Sequence, residues 1–152
     1  MPLAEVEVDQ SGKIEDLGVD TVLAFSNGLS RTIRLPASIK RVGLDFLRRR
    51  GTPPKTRYLR MLAAGLYLLL REDLSRLAFI TVDVEFAGRE GDLQGMLMTL
   101  IWRDLPRFPG DRLAFYRIGR RSPAHHLALE TYRGRRPPDK VVTEAEFIER
   151  LK

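Results

Sequence analysis

The sequence predicts an α/β fold built on a mixed sheet, and three observations carry that prediction. The first 35 residues hold three strand-like runs separated by turn signals. From there on, helical and strand-like stretches alternate. The run Leu77–Phe86 is apolar at every position through Ile80, the pattern of a strand inside a parallel sheet. A meander followed by helix–strand alternation makes a sheet that is antiparallel on one side and parallel on the other, with helices on its faces.

The elements follow in order. In the first strand, Val6 and Val8 alternate with Glu5, Glu7 and Asp9, and Ser11-Gly12 breaks it. Lys13–Asp20 is polar and turn-like. Thr21–Ser26 is the second strand, and Asn27-Gly28 turns it into a third, Leu29–Leu35, because both turn residues tolerate positive φ. Pro36 ends that strand. Ser38 is placed to cap a helix over Ile39–Arg50, and Gly51-Thr52-Pro53-Pro54 stops it. A second helix over Lys55–Glu72 is apolar nearly all round from Met61 to Leu70, which places it against the sheet.

After the Leu77–Phe86 strand, Gly88–Gly91 is a loop and Asp92–Trp102 a helix with Leu93, Met96, Leu97, Leu100 and Ile101 on one side. Pro106, Pro109 and Gly110 mark the next loop, and Arg112–Ile118 is a fifth strand. Ser122-Pro123 opens a helix that runs to Tyr132, with a cap and a proline in the first turn. Gly134–Pro138 ends it and Val141-Val142 is a short extended piece. Thr143–Leu151 is a terminal helix whose Thr143 and Glu146 have capping-box spacing. The expected sheet therefore has five strands.

The chain has 152 residues, 43% of them hydrophobic, which suits one domain spanning residues 1–152. The apolar run Met61–Leu70 is far shorter than the roughly 20 residues a bilayer requires. The acidic start, Glu5, Glu7 and Asp9, lacks the order of a secretory signal. Zero cysteines exclude disulfides and thiolate metal sites. A cytoplasmic protein with no membrane partner is the expectation. The oligomeric state is left open.

The net charge is +6, with arginine in three groups: Arg48-Arg49-Arg50 with Lys55, Arg57 and Arg60; Arg117, Arg120 and Arg121; and Arg133, Arg135 and Arg136. Guanidinium forks match phosphate oxygens, and neutralising a row of phosphates releases counterions. Nucleic acid is the partner this clustering favours, with Arg48, Arg49, Lys55, Arg117, Arg120 and Arg121 as candidate contacts. The alternative is a solvated surface whose cations are offset by the 20 acids.

Acids supply the candidate chemistry. Asp9 ends a strand at a small-residue turn, where it either presents its carboxylate at the sheet rim or caps the turn. Asp83 and Glu85 end the fourth strand and share one of its faces. Of the two histidines, His125 shares a helix side with Leu129 and Tyr132, whereas His126 shares one with Glu130 and Arg133. His125 is thus the inward one, as a ligand or as a histidine bonded to backbone. Gly88, Gly91 and Gly95 lack dinucleotide-fingerprint spacing.

This order of elements, with Asp9 in Asp9-Gln10-Ser11-Gly12, Asp83 closing the fourth strand and His125 in Ser122-Pro123-Ala124-His125, resembles the ribonuclease H-like superfamily from Glu5 to about Tyr132. The resemblance implies neighbouring, parallel first and fourth strands. It also implies Asp9, Asp83 and Glu85 as ligands of Mg²⁺ or Mn²⁺, with His125 as a further ligand or proton carrier. Carboxylates that close repel one another unless a cation joins them, and oxygen-rich sites favour these hard ions. The implied activity is metal-dependent hydrolysis of phosphodiester bonds in DNA, RNA or a hybrid, with Asp9, Asp83 and His125 as its catalytic residues. The family's acid early in the first helix has no counterpart, since no acid occurs between Thr21 and Ile39; Glu15, Asp16 or Glu85 would have to substitute. The alternative is a non-catalytic nucleic-acid-binding module on the same fold. A third reading is an interaction domain whose arginines meet an acidic protein.

Overall fold

The computed structural model describes residues 3–83 and 86–152. Strand β1 (Ala4–Ser11), β2 (Thr21–Ser26) and β3 (Arg31–Leu35) form the expected meander. Helices α1 (Ala37–Arg49) and α2 (Pro54–Leu70) lead to β4 (Leu77–Asp83), α3 (Glu90–Asp104) and β5 (Leu113–Tyr116). Helix α4 (Pro123–Tyr132), β6 (Lys140–Val141) and α5 (Glu144–Leu151) complete the chain. The sheet order is β5-β4-β1-β2-β3-β6. β1 pairs antiparallel with β2 and parallel with β4, and β4 pairs parallel with β5.

The sheet therefore has six strands where five are expected. The sixth is the two-residue β6, parallel to β3. A side chain 107 residues away holds it there: Asp139 Oδ2 accepts from Thr32 N at 2.8 Å, and Thr32 Oγ1 accepts from Asp139 N at 2.9 Å. Helix α1 starts before its expected position, with Pro36 at the cap and no side chain capping it, so Ser38 lies inside the first turn. Helix α3 likewise begins at Glu90 rather than Asp92, and its C-terminus runs on to Asp104. β5 is shorter than Arg112–Ile118, because Gly110–Arg112 forms a 3-10 turn and pairing with β4 stops at Tyr116. The end of the expected fourth strand, including Glu85, lies partly outside the described residues.

The strand period of two sorts the side chains. Val6, Val8, Leu23, Phe25, Ile33, Leu35, Ile80 and Val82 face the main core, against α2 and the helices beside it. As its all-round apolar character requires, α2 is buried continuously from Met61 to Leu70. Val22 and Ala24 face the other way, against Leu127 and Ala128 of α4. Helix α4 packs on β1, β2 and β3. The same face of β4 is left half open, so Phe79, Thr81 and Asp83 are only partly buried. A strand closed on both faces is thus not what forms; the uncovered strip beside α4 becomes a cleft.

A glycine turn and one buried polar anchor fix the rim where β1 ends. Gly12 turns the chain at φ +79°, and a Cβ there would stand 2.1 Å from the Asp20 carbonyl oxygen. Lys40 of α1 is fully buried, and its Nζ donates to Lys13 O at 3.2 Å, Asp16 O at 2.7 Å and Thr21 Oγ1 at 3.0 Å. Burial lowers the Lys40 pKa below the usual lysine range, against the opposing pull of Asp16, Asp20 and Glu15. The β1–β2 loop is therefore held from beneath by an ammonium that fills its carbonyls.

Candidate active site

The site is assembled where the pairing of β1 with β4 stops. β1 itself runs two residues past Asp9, to Ser11, paired with β2, and so does not end at Asp9 as the sequence predicts. Val8 is the register partner of Val82 on the parallel neighbour, so Asp9 and Asp83 occupy the next position on each strand and point to the α4 side. Asp9 is 7% exposed. Its Oδ1 accepts from Gln10 N at 2.8 Å, and its Oδ2 accepts from His125 Nδ1 at 2.9 Å. Asp83 is half buried, and its Oδ1 accepts from Ile118 N at 2.9 Å.

Burial raises the Asp9 pKa above the usual carboxylate value, and the Asp83 charge adds to that. The hydrogen bonds from Gln10 N and His125 oppose the shift without cancelling it. Two carboxylates on adjacent strands thus feel each other, and one is kept in a poorly hydrated seat.

His125 reaches Asp9 because of how α4 begins. Ser122 Oγ accepts from Ala124 N at 3.2 Å, the N-cap its sequence predicts, and donates to Glu7 Oε1 at 2.8 Å. That second bond ties the cap to β1 two residues before Asp9. At the far end Arg34 of β3 donates to Thr131 O at 2.6 Å and pairs with Asp20 at 3.0 Å. With both ends of α4 tethered, His125 on its first turn faces β1, and exposed His126 faces away. Of the two histidines, the inward one is the one the helix spacing singles out.

Asp9, Asp83 and His125 line an open cleft of about 480 Å³ together with Arg117, Arg120, Gly119, Gln10, Gly12 and Lys13. Arg117 and Arg120 are exposed on the β5–α4 connection, which Asp83 holds through Ile118 N. The other expected phosphate contacts do not line it. Arg121 is exposed outside the cleft. Arg48 and Arg49 end α1, where Arg49 pairs with Asp45 at 3.0 Å. Lys55 opens α2, and its carbonyl accepts from Arg89 at 3.3 Å. Glu85, the third expected metal ligand, lies outside the described residues.

Sequence reading overlooked three contributors. Tyr116 is the register partner of Asp83 and is 64% exposed on the same uncovered strip, a placement that only strand pairing reveals. Lys13 is drawn into the cleft wall by the loop that Lys40 holds. Gln10 has both side-chain amide atoms buried on the core side of the strand, immediately behind Asp9, with no hydrogen-bond partner among the described residues.

Among the described residues no three His, Asp or Glu side chains are grouped to enclose a metal ion. What the cleft offers is two carboxylates and an imidazole. Mg²⁺ commonly takes one or two carboxylates, keeps several waters and completes its shell with substrate phosphate oxygens. The donor set fits that mode of binding and not an all-protein cage. Compared with known proteins, the chain matches no family model, no curated protein and no solved structure.

Proposed function

We propose that the cleft hydrolyses phosphodiester bonds in nucleic acid with the help of a divalent cation, Mg²⁺ or Mn²⁺, on a ribonuclease H-like fold. The observation that carries this reading is the convergence of Asp9, Asp83 and His125 beside Arg117 and Arg120 in one open cleft. The strand order, with β1 between antiparallel β2 and parallel β4, supports the fold assignment.

In this reading Asp9 and Asp83 bind the cation, and the ion supplies Lewis acidity and a water of lowered pKa. The protein's own groups do the rest. Asp9 orients His125 through Nδ1, which leaves Nε2 as the ring nitrogen able to take or return a proton at the scissile phosphate. Arg117 and Arg120 hold phosphates on either side of the one attacked. Exposed Tyr116 offers a flat apolar face on which an unpaired base can stack.

The test combines binding and cleavage. Mn²⁺ at low millimolar concentration raises the melting midpoint if the native state alone binds it. Labelled single-stranded DNA, duplex DNA, RNA and RNA–DNA hybrid are then incubated with the metal-loaded protein. Cleavage that disappears in Asp9→Asn while nucleic-acid binding is retained supports the proposal. Cleavage at the wild-type rate in that variant removes Asp9 from the chemistry.

One observation favours a second reading, a nucleic-acid-binding module without catalysis. Both oxygens of Asp9 already accept bonds from within the protein, and no third ligand is grouped with Asp9 and Asp83 among the described residues. That reading prevails if Mn²⁺ leaves the midpoint unmoved, every substrate stays intact, and binding is lost in Arg117→Ala/Arg120→Ala.

A further inference from the structure

A second cleft lies on the other side of the molecule, between α2, α3 and α5. Its volume is about 300 Å³, near the lower bound for small-molecule sites. Three arginines line it, one from each helix: Arg60 of α2, Arg103 of α3 and Arg150 of α5. Among the described residues no acidic side chain lines it; Thr56, Thr99 and an apolar floor that includes Ala63 and Leu100 complete the wall.

Each arginine is positioned by contacts that leave donors to spare. Arg60 donates to Leu151 O at 2.8 Å, and Arg103 donates to Lys152 O at 3.3 Å. Arg150 lies over the ring of buried Tyr67, 4.7 Å from its centroid. A guanidinium carries five N–H donors, so most of those on Arg60 and Arg103 have no partner among the described residues. Arg150 also pairs loosely with half-exposed Asp104, at 3.8 Å. Burial, and then the charges of Arg50 and Arg103, push the Arg60 pKa below the usual arginine value. Like charges crowded around a partly buried arginine are relieved by an anion of matching geometry.

We propose that this cleft binds a phosphate dianion, either free or as the terminal group of a small phosphomonoester whose organic part rests on the Ala63–Leu100 floor. Three arginines around one cleft, each with a planar fork of donors, suit a tetrahedral ion with three terminal oxygens better than a planar carboxylate with two. The proposal stands apart from the hydrolytic reading, since it shares no residue with the Asp9 cleft.

Calorimetric titration of the 152-residue chain with inorganic phosphate, and separately with adenosine monophosphate, tests it at constant ionic strength set by sodium chloride. The expected result is saturable one-site binding that weakens about tenfold or more in Arg103→Gln and in Arg60→Gln, the loss expected for one charge-assisted bond. Arg103→Gln changes an exposed side chain; a melting midpoint close to wild type shows that it folds. Tighter binding of the monophosphate identifies a phosphomonoester site, and equal affinity identifies a site for the free ion. The proposal is overturned if chloride reproduces the heats. It is equally overturned if Arg103→Gln and Arg60→Gln titrate like wild type, or if binding is lost in Arg117→Gln/Arg120→Gln, which would place the ion in the other cleft.

Discussion

Replacing Lys40 by methionine tests whether the rim of the Asp9 cleft is held from below. The ammonium makes three bonds, to Lys13 O, Asp16 O and Thr21 Oγ1, from a fully buried side chain. A hydrogen bond to a charged group contributes roughly 1.5–3 kcal/mol, and an acceptor left bare in the interior costs about 1–3 kcal/mol. Methionine keeps the packing of the lysine stem and removes the cost of burying the charge, which the lowered Lys40 pKa reveals. The net loss is then about 2–4 kcal/mol, because the desolvation recovered offsets part of three lost bonds. For a chain of this size that lowers the melting midpoint by roughly 5–15 °C.

A pH signature accompanies the loss. A lysine whose folded pKa lies below its unfolded value of 10.5 binds fewer protons folded than unfolded between those two pH values. Wild-type stability therefore gains from this group as pH rises through the window, and the gain is absent below the folded pKa. The wild-type-minus-variant difference must widen from pH 7 to pH 10. Circular dichroism melts at both pH values measure it. A midpoint within about 2 °C of wild type at pH 7, or a difference indifferent to pH, would refute the reasoning.

Three further outcomes are expected. Asp9→Asn raises the midpoint by a few degrees at pH 7 and leaves it unchanged near pH 3. A carboxyl whose folded pKa is raised withdraws stability as pH climbs through that value, and the amide has no such cost; a lower midpoint at pH 7 contradicts this. Asp73→Ala behaves oppositely. Burial pushes the Asp73 pKa up, but bonds from Arg31, at 2.6 Å, and Arg76 outweigh it and hold the carboxyl below the usual range. Its contribution, about 2–4 kcal/mol after discounting half-exposed Arg76, is present above about pH 3.8 and lost as pH falls through the folded value, so the urea midpoints of variant and wild type should converge in acid. Ser122→Ala removes both the α4 cap and the bond to Glu7, costing about 1–2 kcal/mol and shifting the His125 ring resonances; an unmoved midpoint with unmoved resonances would release α4 from that tether.

What could be read directly from the sequence is what neighbouring residues decide among themselves. Val6 and Val8 against Glu7 and Asp9 need only the period of two. Asn27-Gly28 makes its turn with φ of 116° and 91°, and Ser122 and Thr143 cap helices within three residues of themselves. What could not be read depends on partners far along the chain. β6 exists because Asp139 meets Thr32, and the half-open face of β4 follows from α4 lying over β1–β3. The candidate site divides the same way. Asp83 is legible as a strand-ending acid, whereas β1 runs on past Asp9 to Ser11, so Asp9 lies inside its strand where only the pairing with β4 has stopped. Tyr116 acquires its place only through pairing with β4. Lys40 did leave a local trace, since it shares the buried face of α1 with Gly43, Leu44 and Leu47, yet a lysine at such a position is ordinarily read as surface.

Asp73 and Asp9 are two buried aspartates treated in opposite ways, and the contrast bears on what Asp9 is for. Asp73 is 2% exposed and receives two arginines, so its charge is stabilised and its carboxyl titrates low. Asp9 is 7% exposed and receives one backbone N–H and one imidazole, has a second carboxylate on the adjacent strand, and titrates high. A carboxylate that only braces the fold gains nothing from being seated beside another acid. Two acids with no arginine or lysine ion pair among the described residues, at the mouth of a cleft that arginines line, fit the proposal that added positive charge binds there and that a phosphate follows it. If Asp9 were merely a turn residue, a divalent cation would leave its titration untouched. If it holds the ion, saturating Mn²⁺ must lower the apparent pKa at which Asp9 costs the fold stability, and the Asp9→Asn advantage at pH 7 must shrink or reverse when the metal is present.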